Sequence, residues 1–128
     1  MALSSDDRQA ILELAARYNH AIDSGNGAAW AATFTDDGVF DSPQAVVEGN
    51  EALIGFAAAF PTQVPGARHW TNNHVIDGDG DAATHTCYLN LMSVEGGAKI
   101  VITGIYNDEL AKKDGAWRFT RRKVSVDG

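Results

Sequence analysis

The sequence predicts an α+β domain in which three N-terminal helices pack on one face of a strongly curved antiparallel sheet. Up to Pro61, apolar residues recur mainly at helical spacing. After Pro65, four segments rich in Thr, Val, Ile, Tyr and Trp are separated by the turn-forming runs DGDGD, EGG and KKDG. A chain of 128 residues suffices for one domain with a core and is short for two. We therefore expect residues 1–128 to form a single domain.

Caps and apolar spacing place the individual elements. The first helix begins at Ser4, ahead of two aspartates that favour the positive end of the helix dipole, and it ends at SGNG, residues 24–27. The second helix is expected within NGAAWAATFTDDG and should end at Gly38. A short strand, VFD, follows it, and then a loop, SPQAVVEG, which has room for one more strand. Asn50 can cap the third, EALIGFAAAF, which Pro61 should stop. The remaining strands are predicted over residues 68–77, 82–94, 98–110 and 116–126.

Composition argues against several functions. A net charge of −7 disfavours binding to nucleic acid, and the basic run KKDGAWRFTRRK, residues 112–123, is better explained as the solvated face of a hairpin. No apolar run approaches the roughly 20 residues of a membrane span, and the N-terminus does not resemble a signal peptide. A single cysteine, Cys87, fits a reducing compartment, so we expect a cytoplasmic protein. Phosphate-binding glycine loops and paired-cysteine motifs are absent, so we expect no cofactor and no metal.

Asp23 is hard to explain as a purely structural residue. It falls in the last turn of the first helix, where the dipole disfavours a carboxylate by a few tenths to about 1 kcal/mol. A histidine partner would stabilise it, and such a pair can act as a general base. The alternative is that Asp23 caps the DSGNG turn. Tyr18 lies five residues before Asp23. It is either a core aromatic residue or an acid in a cavity that Asp23 also borders.

The strand segment ARHWTNNHVID, residues 67–77, holds two histidines. Side chains alternate along a regular strand, so His69 and His74, five apart, should point to opposite faces, and only one should face the interior. In the next strand, His85 shares the more apolar face with Cys87. A metal site from His69, His85 and Asp23 is conceivable, although no ligand spacing supports it.

Several segments together resemble a known family. They are DRQAILELAARYNHAIDSGNGAAWAATFTDDGVF, EGNEALIGFAAAF, ARHWTNNHVIDGDGDAA, TGIYNDEL and KKDGAWRFTRR. Over nearly the whole chain they resemble SnoaL-like proteins of the nuclear transport factor 2-like superfamily, in particular the branch with scytalone dehydratase, bile-acid 7α-dehydratase and hexachlorocyclohexane dehydrochlorinase. The resemblance implies a cone-shaped fold, in which the bent sheet wraps around the helices and encloses an apolar cavity.

The resemblance also implies a set of site residues. In those lyases an aspartate at the end of the first helix pairs with a strand histidine that removes a proton from the substrate, and Asp23 and His69 match these positions. Tyr18 matches a tyrosine five residues before the aspartate. Arg122, with Arg121 nearly as well placed, matches an arginine near the last strand. Binding proteins and dioxygenase scaffold subunits share the same fold, so the fold alone does not define a function.

These features predict a cofactor-independent lyase or isomerase that acts on a small apolar, aromatic or polycyclic molecule. His69 would take the proton, Asp23 would hold the imidazole, and Tyr18 would donate a hydrogen bond to the substrate. The alternative is a non-catalytic small-molecule binding or scaffold protein. A homo-oligomer, either a dimer or a trimer, is compatible with both. The expected substrate-binding residues are Trp30, Phe34 and Phe56, with Tyr88 and Asn90 as weaker candidates that either line a pocket or face water.

Overall fold

The computed structural model describes all 128 residues and confirms the α+β class with three helices and four long C-terminal strands. No helix combines the length and the apolar composition that crossing a bilayer requires. The elements follow one another in the order α1 (Ser5–Asp23), α2 (Gly27–Ala31), β1 (Phe34–Asp41), β2 (Val46–Glu48), α3 (Asn50–Gln63), β3 (Ala67–Asp79), β4 (Ala82–Ser93), β5 (Lys99–Lys113) and β6 (Ala116–Val126).

Six strands form one sheet in the order β2-β1-β6-β5-β4-β3. The four long strands pair antiparallel, as predicted, but β1 runs parallel to β6, so the sheet is mixed rather than purely antiparallel. The cause is the connection through α3, which carries the chain to the far edge of the sheet. From there the chain returns strand by strand, and β6 reaches β1 in the same direction. Four of the five strand pairs contain bulges or similar irregularities, which bend a sheet.

Two helices differ from the prediction at their boundaries. The second helix ends at Ala31 rather than at Gly38, because the backbone from Phe34 onward pairs with β6, and the N–H of Phe119 donates to the carbonyl of Thr33 at 2.9 Å. The third helix continues past Pro61 to Gln63. Proline lies there in the last turn, where it removes only one hydrogen bond. Gly49, not Asn50, precedes the first helical residue, and no side chain caps this helix.

The start of α1 is tied to the β5–β6 hairpin through one carboxylate. Ser4 caps the helix at the predicted start, and together with Asp7 it forms a capping box. The same Asp7 carboxylate accepts hydrogen bonds from Nε1 of Trp117 and from Nζ of Lys112, both at 3.0 Å. These bonds, that of Trp117 foremost, hold the pKa of Asp7 well below its usual range. The helix is thereby fixed across the sheet at its N-terminal end.

The core lies between the helices and the inner face of the sheet, and Trp30 is at its centre. Its indole is fully buried, with ring centroids 5.3 Å from Tyr18, 5.1 Å from Phe34 and 5.5 Å from Phe56. The short helix that carries it packs closely on α3, since a Cβ at Gly27 would lie 2.3 Å from the carbonyl oxygen of Ile54. Only glycine permits this approach.

Replacing Trp30 with alanine should therefore lower the free energy of unfolding by about 3–5 kcal/mol, because it removes a fully buried aromatic side chain. Trp70 is the matched control: it lies on the outer face and is 58% exposed, so its replacement with alanine should change stability by less than about 0.5 kcal/mol. Urea denaturation of both variants measures the difference. Similar losses for the two would contradict the described core.

Candidate active site

The end of α1 and the start of β3 bring Asp23 and His69 into direct contact. Nδ1 of His69 lies 2.6 Å from Oδ1 of Asp23. The backbone N–H of His69 also donates to both carboxylate oxygens at 3.1 Å. Three contacts from one residue thus offset the unfavourable position of a carboxylate at a helix C-terminus. Because the aspartate binds both the backbone N–H and Nδ1 of His69, it holds the imidazole in a fixed orientation.

Asp23 does not cap the turn that follows α1, which was the alternative explanation for it. The hydroxyl of Ser24 donates to the carbonyl of His20 at 3.0 Å, and Oδ1 of Asn26 accepts from the N–H of Ala29 at 3.1 Å. Ser24 and Asn26 therefore supply the side-chain hydrogen bonds of this turn, and the Asp23 carboxylate binds His69 instead. Its side chain is 15% exposed, compared with 5% for His69.

His69 forms part of the wall of an interior cavity of about 560 Å³. Of the 19 residues around this cavity, 14 are hydrophobic, and His69 is the only one with an imidazole, amine or carboxylate side chain. The ring of Phe60 packs against the imidazole, with centroids 5.4 Å apart. A single basic group thus faces an otherwise apolar space. The apolar wall includes Phe40, Phe56, Phe60, Leu89, Leu91 and Val124.

Of the predicted substrate-binding residues, only Phe56 lines this cavity. Trp30 and Phe34 are fully packed in the core and do not reach it. Tyr88 and Asn90 point away from it, because they alternate with Leu89, which faces inward. They line a shallow hollow of about 330 Å³ on the outer face of the sheet instead. Strand alternation therefore corrects their predicted role as cavity residues.

Tyr18 lines the cavity and is fully buried. Its hydroxyl lies beside the side chain of Tyr106 but makes no hydrogen bond of normal geometry within the chain. Burial, and secondarily the neighbouring Tyr106, raises the pKa of Tyr18 well above its ordinary value. The residue is therefore a neutral phenol with an unused donor. It also belongs to the aromatic cluster around Trp30, so it is a core aromatic residue, and its role as an acid stays a prediction.

Arg122 is fully buried beneath the cavity and is not part of its wall. Its guanidinium lies 3.5 Å from the ring centroid of Tyr106 and 4.3 Å from that of Tyr18, and its Nε is 3.1 Å from Oδ1 of Asp108. Burial alone would lower the pKa of Arg122, but the aspartate and the tyrosines raise it, so the residue stays charged. Arg121 instead points outward and pairs with Asp41 at 2.6 Å.

A bulge in β3 overturns the expectation that His69 and His74 face opposite ways. Asn72 pairs with Tyr88 and Val75 with Thr86, so β3 has one more residue than β4 at this point, and Asn73 adopts a φ of 58°. The extra residue moves His74 toward the inner face, where its Nδ1 lies 2.9 Å from Nε2 of His85.

His85 continues this network into the core. Its Nδ1 is 2.7 Å from Oδ2 of Asp108, the residue that also pairs with Arg122. Sequence spacing did not indicate Asp108 or His74, since their partners lie on other strands. Burial, with the neighbouring His85 second, lowers the pKa of His74, and burial raises that of the nearby Cys87 to about 11.

The chain matches the family described as SnoaL-like domain over residues 4–123 and belongs to that family. The architecture is accordingly that of the nuclear transport factor 2-like fold. A search of curated proteins gives no significant match.

Solved structures support the same assignment. Rv3472 of Mycobacterium tuberculosis, a protein of unknown function solved as an aspartate-to-asparagine variant, is 35% identical with a TM-score of 0.87, over 97% of this chain and 76% of its own. A Nostoc punctiforme protein of unknown function is 30% identical with a TM-score of 0.93, over 99% and 96%. A Catenulispora acidiphila protein solved in complex with S-DNPA is 28% identical with a TM-score of 0.84, over 97% and 96%.

The two neighbouring arginines allow a matched test of the buried ion pair. Replacing Arg122 with methionine should lower the free energy of unfolding by about 3–5 kcal/mol, because Asp108 would remain buried without its cation. Replacing Arg121 with methionine removes only a partly exposed pair and should cost about 1 kcal/mol or less. Chemical denaturation of both variants measures this difference, and an equal cost would contradict the described burial.

Proposed function

We propose that the protein is a cofactor-independent lyase or isomerase in which His69 is the general base. The observation that carries the proposal is the 2.6 Å contact between His69 and Asp23, on the wall of a cavity with no other basic side chain. Because the carboxylate accepts the hydrogen on Nδ1, the lone pair of the imidazole resides on Nε2. Nε2 has no partner in the chain and is free to accept a proton.

The reaction begins when Nε2 removes a proton from carbon next to an electron-withdrawing group such as a carbonyl. In a lyase, the electron pair of that C–H bond becomes a new C=C bond, and a leaving group on the adjacent carbon departs with its bonding pair. The imidazolium then returns its proton to the departing group. In an isomerase, it delivers the proton to another carbon of the same molecule. Asp23 stabilises the imidazolium that forms in either case.

Tyr18 would support this chemistry as a hydrogen-bond donor. Its hydroxyl makes no hydrogen bond of normal geometry within the chain, and a buried hydroxyl left without one costs about 1–3 kcal/mol. A substrate oxygen that accepted this hydrogen would offset the cost, and it would do so most effectively as negative charge develops on it. Arg122 would act indirectly, as a positioning residue, because its charge lies against the ring of Tyr18 and outside the cavity.

The cavity indicates the class of substrate. A volume of about 560 Å³ is within the roughly 300–1,000 Å³ typical of small-molecule sites. Its largely hydrophobic wall favours an apolar, aromatic or polycyclic compound with few polar groups. The relative solved with S-DNPA supports the view that a domain of this kind accommodates a small molecule. We therefore propose a β-hydroxy carbonyl compound or a related carbon acid as the substrate.

A second candidate function is binding without catalysis, because the same cavity would hold a ligand even if no proton moved. The outer face of the sheet carries exposed Trp70, Val75 and Tyr88, which favours association with a second copy of the chain. The single cysteine, Cys87, is buried and unpaired, which is consistent with a cytoplasmic location. Neither feature distinguishes an enzyme from a binding protein.

Substitution of His69 separates the two functions. A panel of aryl β-hydroxy ketones and cyclic ketones would be screened with the wild-type protein in D2O, and proton NMR would report both elimination and hydrogen exchange. His69→Ala should lower turnover about 10²- to 10⁴-fold, the usual contribution of a general base. Asp23→Asn should lower it as well, whereas His20→Ala, an exposed residue of the same helix, should not.

Binding is measured on the same proteins by calorimetry. Retained binding with lost turnover in His69→Ala supports the enzyme. Binding by the wild type without turnover of any panel member supports the binding protein. Wild-type turnover by His69→Ala would refute the proposed base.

A further inference from the structure

A second cluster of chemically reactive side chains lies apart from Asp23 and His69. One ring nitrogen of His74, one of His85 and Sγ of Cys87 all lie within 4.8 Å of one another. The two nitrogens are 2.9 Å apart. Two imidazoles and one thiol are a ligand set that zinc prefers in proteins.

The folding of β3 and β4 brings these three atoms together. His85 and Cys87 are two residues apart on β4 and share its inner face. His74 joins them from β3 because of the bulge, which places it beside Cys87. A strand without the bulge would send this histidine to the outer face. The convergence of the cluster is therefore specific to the irregular pairing of these two strands.

The environment of His85 fixes which nitrogen faces the cluster. Oδ2 of Asp108 is 2.7 Å from Nδ1 of His85, and Nε of Arg122 is 3.1 Å from the other carboxylate oxygen. The paired carboxylate accepts the hydrogen on Nδ1, so Nε2 carries the lone pair and points at His74 and Cys87. Metal-binding histidines are usually oriented in this way, by a carboxylate on the nitrogen that does not bind the metal.

From this geometry we propose that His74, His85 and Cys87 form a zinc-binding site with an open fourth position. Without the metal, the two imidazole nitrogens share one hydrogen at 2.9 Å. Zinc replaces that hydrogen, which moves to the other ring nitrogen of His74 so that both imidazoles stay neutral, and the Cys87 thiol releases its proton to solvent to become a thiolate ligand. With Zn–N bonds of about 2.0–2.1 Å, tetrahedral ligands lie about 3.3 Å apart, so the two nitrogens must separate by a few tenths of an ångström. The two rings, which are 8° from parallel, must also tilt, and Sγ of Cys87, within 4.8 Å of both nitrogens, must approach the same point.

The charges around the cluster are compatible with a bound dication. Arg122 is balanced by Asp108, and its Nη2 lies 3.6 Å from Sγ of Cys87, where it favours the thiolate. Zinc and one thiolate then leave a single positive charge, which a hydroxide or another anionic fourth ligand neutralises. His74 is the member that is partly exposed, so the open position faces the solvent side of the cluster.

Cobalt and zinc titrations of metal-free protein test the proposal. Co²⁺ should bind at one ion per chain and give a thiolate-to-cobalt charge-transfer band in the near ultraviolet, which Zn²⁺ abolishes by displacement. Cys87→Ser should lose the band and weaken zinc binding by more than the about 10- to 100-fold that loss of an outer-shell partner costs. His74→Ala, a change at a partly exposed position, should weaken it to a similar degree.

Two control variants and a thermal measurement complete the test. His20→Ala and His69→Ala should bind as tightly as the wild type, because neither residue belongs to the cluster. Zinc should raise Tm in the wild type and in both controls, and it should not do so in Cys87→Ser. Absence of the charge-transfer band in the wild type would overturn the proposal, as would binding that is lost in His69→Ala and retained in Cys87→Ser.

Discussion

Charged groups on the inner face of the sheet must be paired, because an uncompensated charge in that low-dielectric environment costs several kcal/mol. The structure meets this constraint in two places. Asp23 pairs with His69 where α1 meets β3. Beneath the aromatic cluster, Asp108 contacts both Arg122 and His85. Each arrangement fixes the orientation of a histidine ring.

The two histidine networks differ in what they face. His69 borders an apolar cavity, where we propose that its free nitrogen meets a small molecule. His85 faces a second histidine and a thiol, so its free nitrogen meets other potential ligand atoms. The same arrangement, a carboxylate on Nδ1, would support the proposed acid–base chemistry in one place and the proposed metal binding in the other. Tyr18 and Tyr106 lie between the two networks, in contact with both the cavity and Arg122.

Much of the fold follows from local sequence signals. The cap at Ser4, the end of α1 and the long strands lie within a few residues of their predicted positions, because caps, turns and β-rich runs act locally. The end of α2 and the parallel pairing of β1 depend on β6, which lies some 80 residues away along the chain. No local pattern near Gly38 could indicate that pairing.

The candidate site was predictable to a similar extent. The position of Asp23 at a helix end suggested an unusual partner, and resemblance to the family indicated His69. The cluster around His85 was not predictable, because it depends on the bulge after Asn72 and on Asp108 from a third strand. Strict alternation along β3 gives the wrong face for His74. The distinction between cavity and core for Phe34 and Phe56 likewise depends on packing that periodicity does not encode.

The central claim is that Asp23 holds His69 with hydrogen on Nδ1 and a free lone pair on Nε2. Nitrogen-15 NMR of the imidazole rings measures this tautomer directly in the neutral histidine. The structure predicts the Nδ1–H form for His69 in the wild type and its loss in Asp23→Asn, with the signals of His20 unchanged between the two proteins. An Nε2–H tautomer for His69 in the wild type, or the same tautomer with and without the aspartate, would contradict the proposed general base.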